Sequence, residues 1–245
     1  MSTSAKHIIP QDFEQLYIQL RQKEGRIYSD EEVSLLPEVG SQHPYAQEWR
    51  LRKQSFEKLA AHLERKERPL VILEIGCGNG WLAHRLTGIP GTRVIGTDIN
   101  FTEVQQAARV FQETTNLHFI YGEAGPDLFE EMQFDVVVFA ASIQYFPSIT
   151  ETIHTALRLL KPNGEIHIID SHFYSLADIS AARQRSLLYY QAAGMPEMAN
   201  YYFHHSLEDL DRHRASILYD PNSLFNRFLR NKHPFHWICI PASTR

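Results

Sequence analysis

Apolar residues in this chain keep two periods, and the switches between them mark out its elements. From Gln11 to Lys23, Phe13, Leu16, Tyr17 and Leu20 recur at helical spacing, which predicts an amphipathic helix. Pro37, Gly40 and Pro44 interrupt the stretch Ile27 to Pro44, which reads as irregular. Helical period resumes from Tyr45 to Arg65, with Trp49, Phe56, Leu59 and Leu63 on one face. The pattern then changes to short apolar runs at Leu70–Ile75, Arg93–Asp98, Phe119–Tyr121 and Phe134–Ala140, separated by helical stretches that begin near Trp81 and Asn100. Near-continuous apolar strands alternating with helices predict a parallel sheet buried on both faces and wound by right-handed crossovers. A further helix, Ser148 to Leu160, leads into a strand that ends at Asp170, and Ala215–Tyr219 and Phe235–Ile240 have the length and composition of two more strands.

The turn after the first strand carries chemistry. Glu74-Ile75-Gly76-Cys77-Gly78-Asn79-Gly80-Trp81 joins a strand to a helix, the place where α/β folds receive nucleosides. Asp98 closes the next strand roughly 20 residues on, a spacing that suits a carboxylate accepting from both hydroxyls of a ribose. The glycines fall as G-x-G-x-G, and Trp81 stands where a dinucleotide fingerprint has its third glycine. The turn therefore departs from the pyrophosphate-binding pattern.

From about Leu70 to Asp170 the chain resembles the class I S-adenosylmethionine-dependent methyltransferases, of the methyltransferase 11 and 25 types. Glu74 to Gly80 is similar to that family's D/E-x-G-x-G-x-G, Phe134-Asp135-Val136-Val137-Val138 to its F-D-x-V-x strand, and Leu160-Lys161-Pro162-Asn163-Gly164 to its L-K-P-G-G turn. The resemblance implies a Rossmann-like α/β fold: a seven-stranded, mostly parallel sheet with helices on both faces, the last strand antiparallel, and an N-terminal helical cap. Residues 1–66 would be the cap, and residues 67–245 the methyltransferase domain with an inserted cap segment at about 174–214.

It also implies the cofactor, S-adenosyl-L-methionine, and its contacts. Glu74, Gly76, Cys77, Gly78, Asn79 and Gly80 would supply the turn. Asp98 and Ile99 would face the ribose and adenine, Glu123 and Ala124 would correspond to the family's Gly-Asp-Ala segment, and Ala140 and Ser142 would lie at the end of the fourth strand. In the loop Ala141 to Pro147, Gln144 and Tyr145 replace a His-His pair common among small-molecule methyltransferases, which removes a frequent candidate base. His172, Tyr145 and His204 are then the candidate catalytic residues, His172 because it follows the fifth strand and histidine accepts a proton near neutral pH.

Composition narrows the partners. The formal charge is −5 over 245 residues, which offers no broad basic surface for nucleic acid or an anionic membrane, and no apolar run approaches a membrane span. Asn/Asp-Pro-Pro-Tyr, the motif of base and amide nitrogen methylation, is absent, and no acid follows the fourth strand to hold a hard cation. With two cysteines and no apolar leader, the reading is a cytoplasmic protein, monomer or homodimer, that methylates a small-molecule acceptor without a metal. A non-catalytic cofactor-binding module and a nucleic-acid methyltransferase stand as the alternatives.

Overall fold

The computed structural model describes residues 11–227 and 233–242. Strands β1 (Val71–Ile75), β2 (Arg93–Asp98), β3 (Leu117–Tyr121), β4 (Phe134–Ala140) and β5 (Leu160–Ser171) run parallel in the order β3-β2-β1-β4-β5. Beyond them, in chain order, lie β6 (Phe173–Tyr174), β7 (His205–Ser206), β8 (Ser216–Tyr219) and β9 (His236–Pro241). β9 pairs antiparallel to β5 and β8 completes the edge, while β6 and β7 form a separate two-stranded ribbon. The doubly wound sheet and its antiparallel last strand are those implied by the resemblance.

Two apolar layers cover the sheet. On one face, helix α3 (Ala46–Glu64) and helix α4 (Trp81–Leu86) bury Trp49, Leu59, Leu63, Leu82 and Leu86 against Ile72, Val94, Val136 and Val138. α3 therefore shares the sheet's own core. On the other face, helix α6 (Ile149–Leu159), capped by Ser148 accepting from the Glu151 amide, packs Ile153 and Ala156 against Val137, Phe139 and Ile168. Helix α5 (Phe101–Val110) is capped by Asn100 and links β2 to β3.

A third cluster stands apart. Helix α1 (Gln11–Lys23) meets helix α7 (Ile179–Ala192) and the 3-10 helix Pro196–Tyr201 through Phe13, Leu20, Tyr190, Met195 and Met198. These elements form an aromatic cap over the C-terminal ends of β2 and β4, and Ile99 and Tyr145 pack against its underside. Lys23 donates to the carbonyls of Ala193 and Gly194 and seals the cap's edge.

One local expectation changed. The stretch expected to be irregular holds a short helix, α2 (Asp30–Leu35), because Ser29 and Glu32 form a reciprocal capping box and Val33 is fully buried. Ser206 and Asp209 also cap each other, and the segment they open, Glu208–His213, is a 3-10 helix.

Candidate functional site

The three parallel strands β1, β4 and β5 all end in a left-handed residue: Gly76 (φ 76°), Ala141 (φ 52°) and Asp170 (φ 54°). Alanine holds such a φ only where its surroundings impose it, and strain of this kind gathers at functional sites. The ends are stitched together, with Ala141 N–H donating to Ile169 O at 3.0 Å and Ser142 Oγ to Ile75 O at 2.7 Å.

Not every glycine of the turn serves a ligand. A Cβ on Gly76 would lie 2.5 Å from Ser142 Cβ, and one on Gly80 would lie 2.4 Å from Phe119 Cζ, so both are required by the protein's own packing. Gly78 (φ 52°) differs, since its Cβ would meet only the Glu103 carboxylate, at 3.3 Å. Four amides of the turn are also committed. Gly76 and Cys77 donate to Thr97 O, Gly80 to Cys77 O, and Gly78 to Asp98 Oδ2 at 2.7 Å. With these donors used internally, the turn is poorly suited to a pyrophosphate.

Acidic groups gather there instead. Asp98 takes the amides of Gly78 and Asn100, one on each oxygen, and each oxygen keeps a lone pair. Burial pushes its carboxyl up. Glu74 is 2% exposed, and its Oε2 has no partner; burial, then Asp98, push its carboxyl well above the usual range against the Ala83 amide and Arg52. Glu103, on α5 above Gly78, is pushed up to about 7 by burial and by Asp98, against Arg21 and Arg52. The sequence pattern gave Glu103 no role, although its place one turn after the Asn100 cap was the signal available. Arg52 was also missed; it is reached from α3 and acts on Glu74, Glu103, Tyr145 and Asp170.

Of the other expected cofactor residues, Cys77, Ala140 and Ser142 are buried, Asn79 and Ala124 are half-buried, and Glu123 is exposed past β3. Asn79 Oδ1 accepts from the Trp81 amide at 3.4 Å, opening α4.

The three catalytic candidates lie along one chain of rings. Tyr145 sits 5.7 Å from Tyr17, 5.8 Å from Phe13 and 5.8 Å from Tyr202; His204 is 5.2 Å from Tyr202 and 5.5 Å from Tyr174; Tyr174 is 6.0 Å from His172. Burial raises the Tyr145 hydroxyl and lowers the His204 imidazole. His204 is buried with Nε2 2.9 Å from Ser186 Oγ, whereas His172 is exposed with its ring 4.6 Å from Phe235. Gln144, in the place of a family histidine, clamps three loops: it donates to Ala141 O, its carbonyl accepts from Ser171 Oγ, and its backbone O accepts from the Phe203 amide.

A cavity of about 370 Å³ opens between α3 and the end of β5, lined by Pro44, Tyr45, Gln47, Glu48, Leu51, Arg52, Asp170 and Phe235. Pro44, Tyr45, Gln47 and Glu48, from the stretch read as an N-terminal cap, contribute half of that lining.

Among the described residues one group of three potential metal donors comes together, His62, Glu165 and His167, at the far end of the sheet. The His62 and His167 Nε2 atoms lie 3.1 and 3.2 Å from Glu165 Oε2, and Lys66 lies 2.7 Å from Oε1. Trp237 Nε1–H donates to His167 Nδ1 at 3.1 Å. A neutral His167 therefore carries its proton on Nε2, the atom a metal would need, and a lysine already neutralises the carboxylate. The cluster is a hydrogen-bonded ion pair rather than a metal centre.

Comparison with known proteins agrees with this geometry. Residues 72–164 match the family model described as a methyltransferase domain. The chain is 32% identical over 103 residues to a malonyl-acyl-carrier-protein O-methyltransferase of Halalkalibacterium halodurans, covering 40% of this chain and 38% of that protein. It is 32% identical over 104 residues to a demethylmenaquinone methyltransferase of Chlorobaculum tepidum, covering 42% of each. The matches thus span about two fifths of these relatives' length. A structure described as a sarcosine dimethylglycine methyltransferase from Galdieria sulphuraria superposes with a TM-score of 0.57 at 17% identity over 85% of this chain and 76% of that one, which speaks to fold alone. No helix among the described residues is long and apolar enough to cross a membrane. Strand order, glycine turn and matched segment agree: residues 72–164 belong to a methyltransferase domain, and the sheet around them has the fold of the class I S-adenosylmethionine-dependent enzymes.

Proposed function

We propose that this chain transfers a methyl group from S-adenosyl-L-methionine to a small-molecule acceptor, without a metal. The observation that carries the reading is the meeting of Glu74, Asp98 and Glu103 at a glycine turn whose Gly76, Cys77, Gly78 and Gly80 amides already have partners. Such a site repels phosphate and favours a ligand with hydroxyl and ammonium donors and a positive charge. Bound there, the cofactor would supply an electrophilic methyl group on a sulfonium.

The residues have separable tasks in this reading. Asp98 and Glu103 accept from ribose hydroxyls, and Glu74, through its unpartnered Oε2, accepts from an ammonium group directly or through water. Gly78 gives the ligand room. The cap rings of Phe13, Tyr17, Tyr145 and Tyr202 exclude water above the methionine portion, and α1 must part from α7 for exchange. His172, Tyr145 and His204 remain the sequence-derived candidates for proton transfer. The small-molecule relatives, which act on malonyl-acyl-carrier protein and demethylmenaquinone, and the net charge of −5 favour a small acceptor over nucleic acid.

The test is incubation with methyl-labelled S-adenosylmethionine, chelator and a protein-free small-molecule extract, followed by mass analysis. Label in one or a few small molecules supports the reading. Label only in added RNA or DNA, or binding of the cofactor with no transfer to any fraction, contradicts it.

A further inference from the structure

The cavity between α3 and the end of β5 has in its wall a carboxylate with only one of its oxygens satisfied. Asp170 is 6% exposed, and its Oδ1 accepts from Ser55 Oγ at 2.5 Å. Ser55 Oγ in turn lies 2.9 Å from His233 Nε2, which fixes a His233-to-Ser55-to-Asp170 line of donors. Oδ2 has no partner. The residue is held at φ 54° and lines the cavity beside the joined end of β4. Tyr45, Phe235, Pro44 and Leu51 give that cavity its apolar and aromatic surface beside the polar Gln47, Glu48 and Arg52, and at about 370 Å³ it suits one small molecule.

We infer that this cavity binds a small planar acceptor bearing a hydroxyl group, and that Asp170 Oδ2 receives the proton of that hydroxyl. The inference rests on the methyl-transfer reading above. In the step, the acceptor oxygen forms a bond to the methyl carbon of the sulfonium cofactor as the carbon–sulfur bond breaks with its electron pair going to sulfur. The hydroxyl proton passes to the Asp170 carboxylate, so an ether, a neutral thioether and a carboxylic acid result. Burial pushes the Asp170 carboxyl up, while Arg52, Ser55 and His233 pull it back, and a raised carboxylate is a better base than an ordinary one.

The test uses Asp170→Asn, because asparagine tolerates left-handed φ and keeps the backbone. The probes are phenol and anisole, alike in shape but only one with a proton to give, added to wild-type and D170N protein loaded with S-adenosylhomocysteine and followed by ligand-observed NMR. Wild type is expected to prefer phenol at least fivefold, and D170N to lose the preference while its melting temperature and its affinity for S-adenosylhomocysteine stay unchanged. With the labelled extract, D170N should transfer at least a hundredfold more slowly at neutral pH and lose the rise of rate with pH. A phenol preference that survives in D170N, the absence of binding by either probe, or a rate lost instead in His172→Ala would overturn the inference. Failure of the wild-type protein to bind S-adenosylhomocysteine at all would instead overturn the methyl-transfer reading.

Discussion

The two ends of the sheet treat buried acids in opposite ways. At the N-terminal ends of the strands, Asp135 is held by Arg68 at 2.6 Å, Lys161 at 2.8 Å and the Val71 amide at 2.8 Å, and these partners keep its carboxyl low against the pull of burial. Glu165 is likewise held by His167, Lys66 and His62 and lies far below the usual carboxylate range. At the C-terminal ends, Glu74, Asp98, Glu103 and Asp170 are all raised by burial, and two of them keep an oxygen without any partner. Acids that hold the fold together are matched with cations. Acids that await a ligand are left with unfilled lone pairs, and the folded protein tolerates their desolvation.

The largest break in this contrast should come from Glu165→Ala. It leaves Lys66 and the His167 N–H without their acceptor, and a loss of about 3 kcal/mol is expected from removing one partner of a partly buried ion pair. Denaturant unfolding measures it, and affinity for S-adenosylmethionine should not change. At the other end, Glu74→Gln removes an acid that prefers to be neutral. Its melting temperature should equal or exceed that of wild type, while the cofactor dissociation constant rises about tenfold, as for one lost charged hydrogen bond. A large drop in stability would show that Glu74 is structural.

The sheet's shape was legible because its signals are local: continuous apolar strands, a glycine turn, and an acid at the end of β2. The site was legible only in part. Ser55, Asp170 and His233 converge from positions 115 and 178 residues apart, and no spacing in the chain announces that meeting. The same holds for the cap, where Lys23 reaches Ala193 across 170 residues. Helix α2 was hidden because Pro37 and Gly40 outweighed a capping box that spans only Ser29 to Glu32. Among the glycines, sequence could not tell that Gly76 and Gly80 answer to Ser142 and Phe119 while Gly78 alone faces the site.

Smaller effects sharpen the comparison through pH. His167 is lowered by burial and Glu165 by its partners, so their stabilisation is complete above the ordinary histidine and carboxylate values and declines as pH falls through the folded ones. Glu103 has the opposite sign: raised from 4.5 to about 7, it favours the apo fold at low pH and ceases to do so as pH rises through that interval. Cofactor hydroxyls favour its ionised form, so affinity should rise between pH 6 and 8, by at most about tenfold per unit for one proton. In Glu103→Gln that rise should flatten, as read by calorimetry. The smallest expected effect is that of zinc, which should move the melting temperature by less than about 1 °C, since the His167 proton and Lys66 already occupy the carboxylate.

The contrast between the two ends is tested most directly by Asp98→Asn and Asp135→Asn measured side by side, each for unfolding of the apo protein and for calorimetric binding of S-adenosylmethionine after chelator treatment. D98N is expected to unfold close to wild type and bind at least tenfold more weakly, while D135N should lose stability and bind as wild type does. The opposite pattern, or a wild-type protein that takes up a nicotinamide dinucleotide but neither S-adenosylmethionine nor its demethylated product, would contradict it.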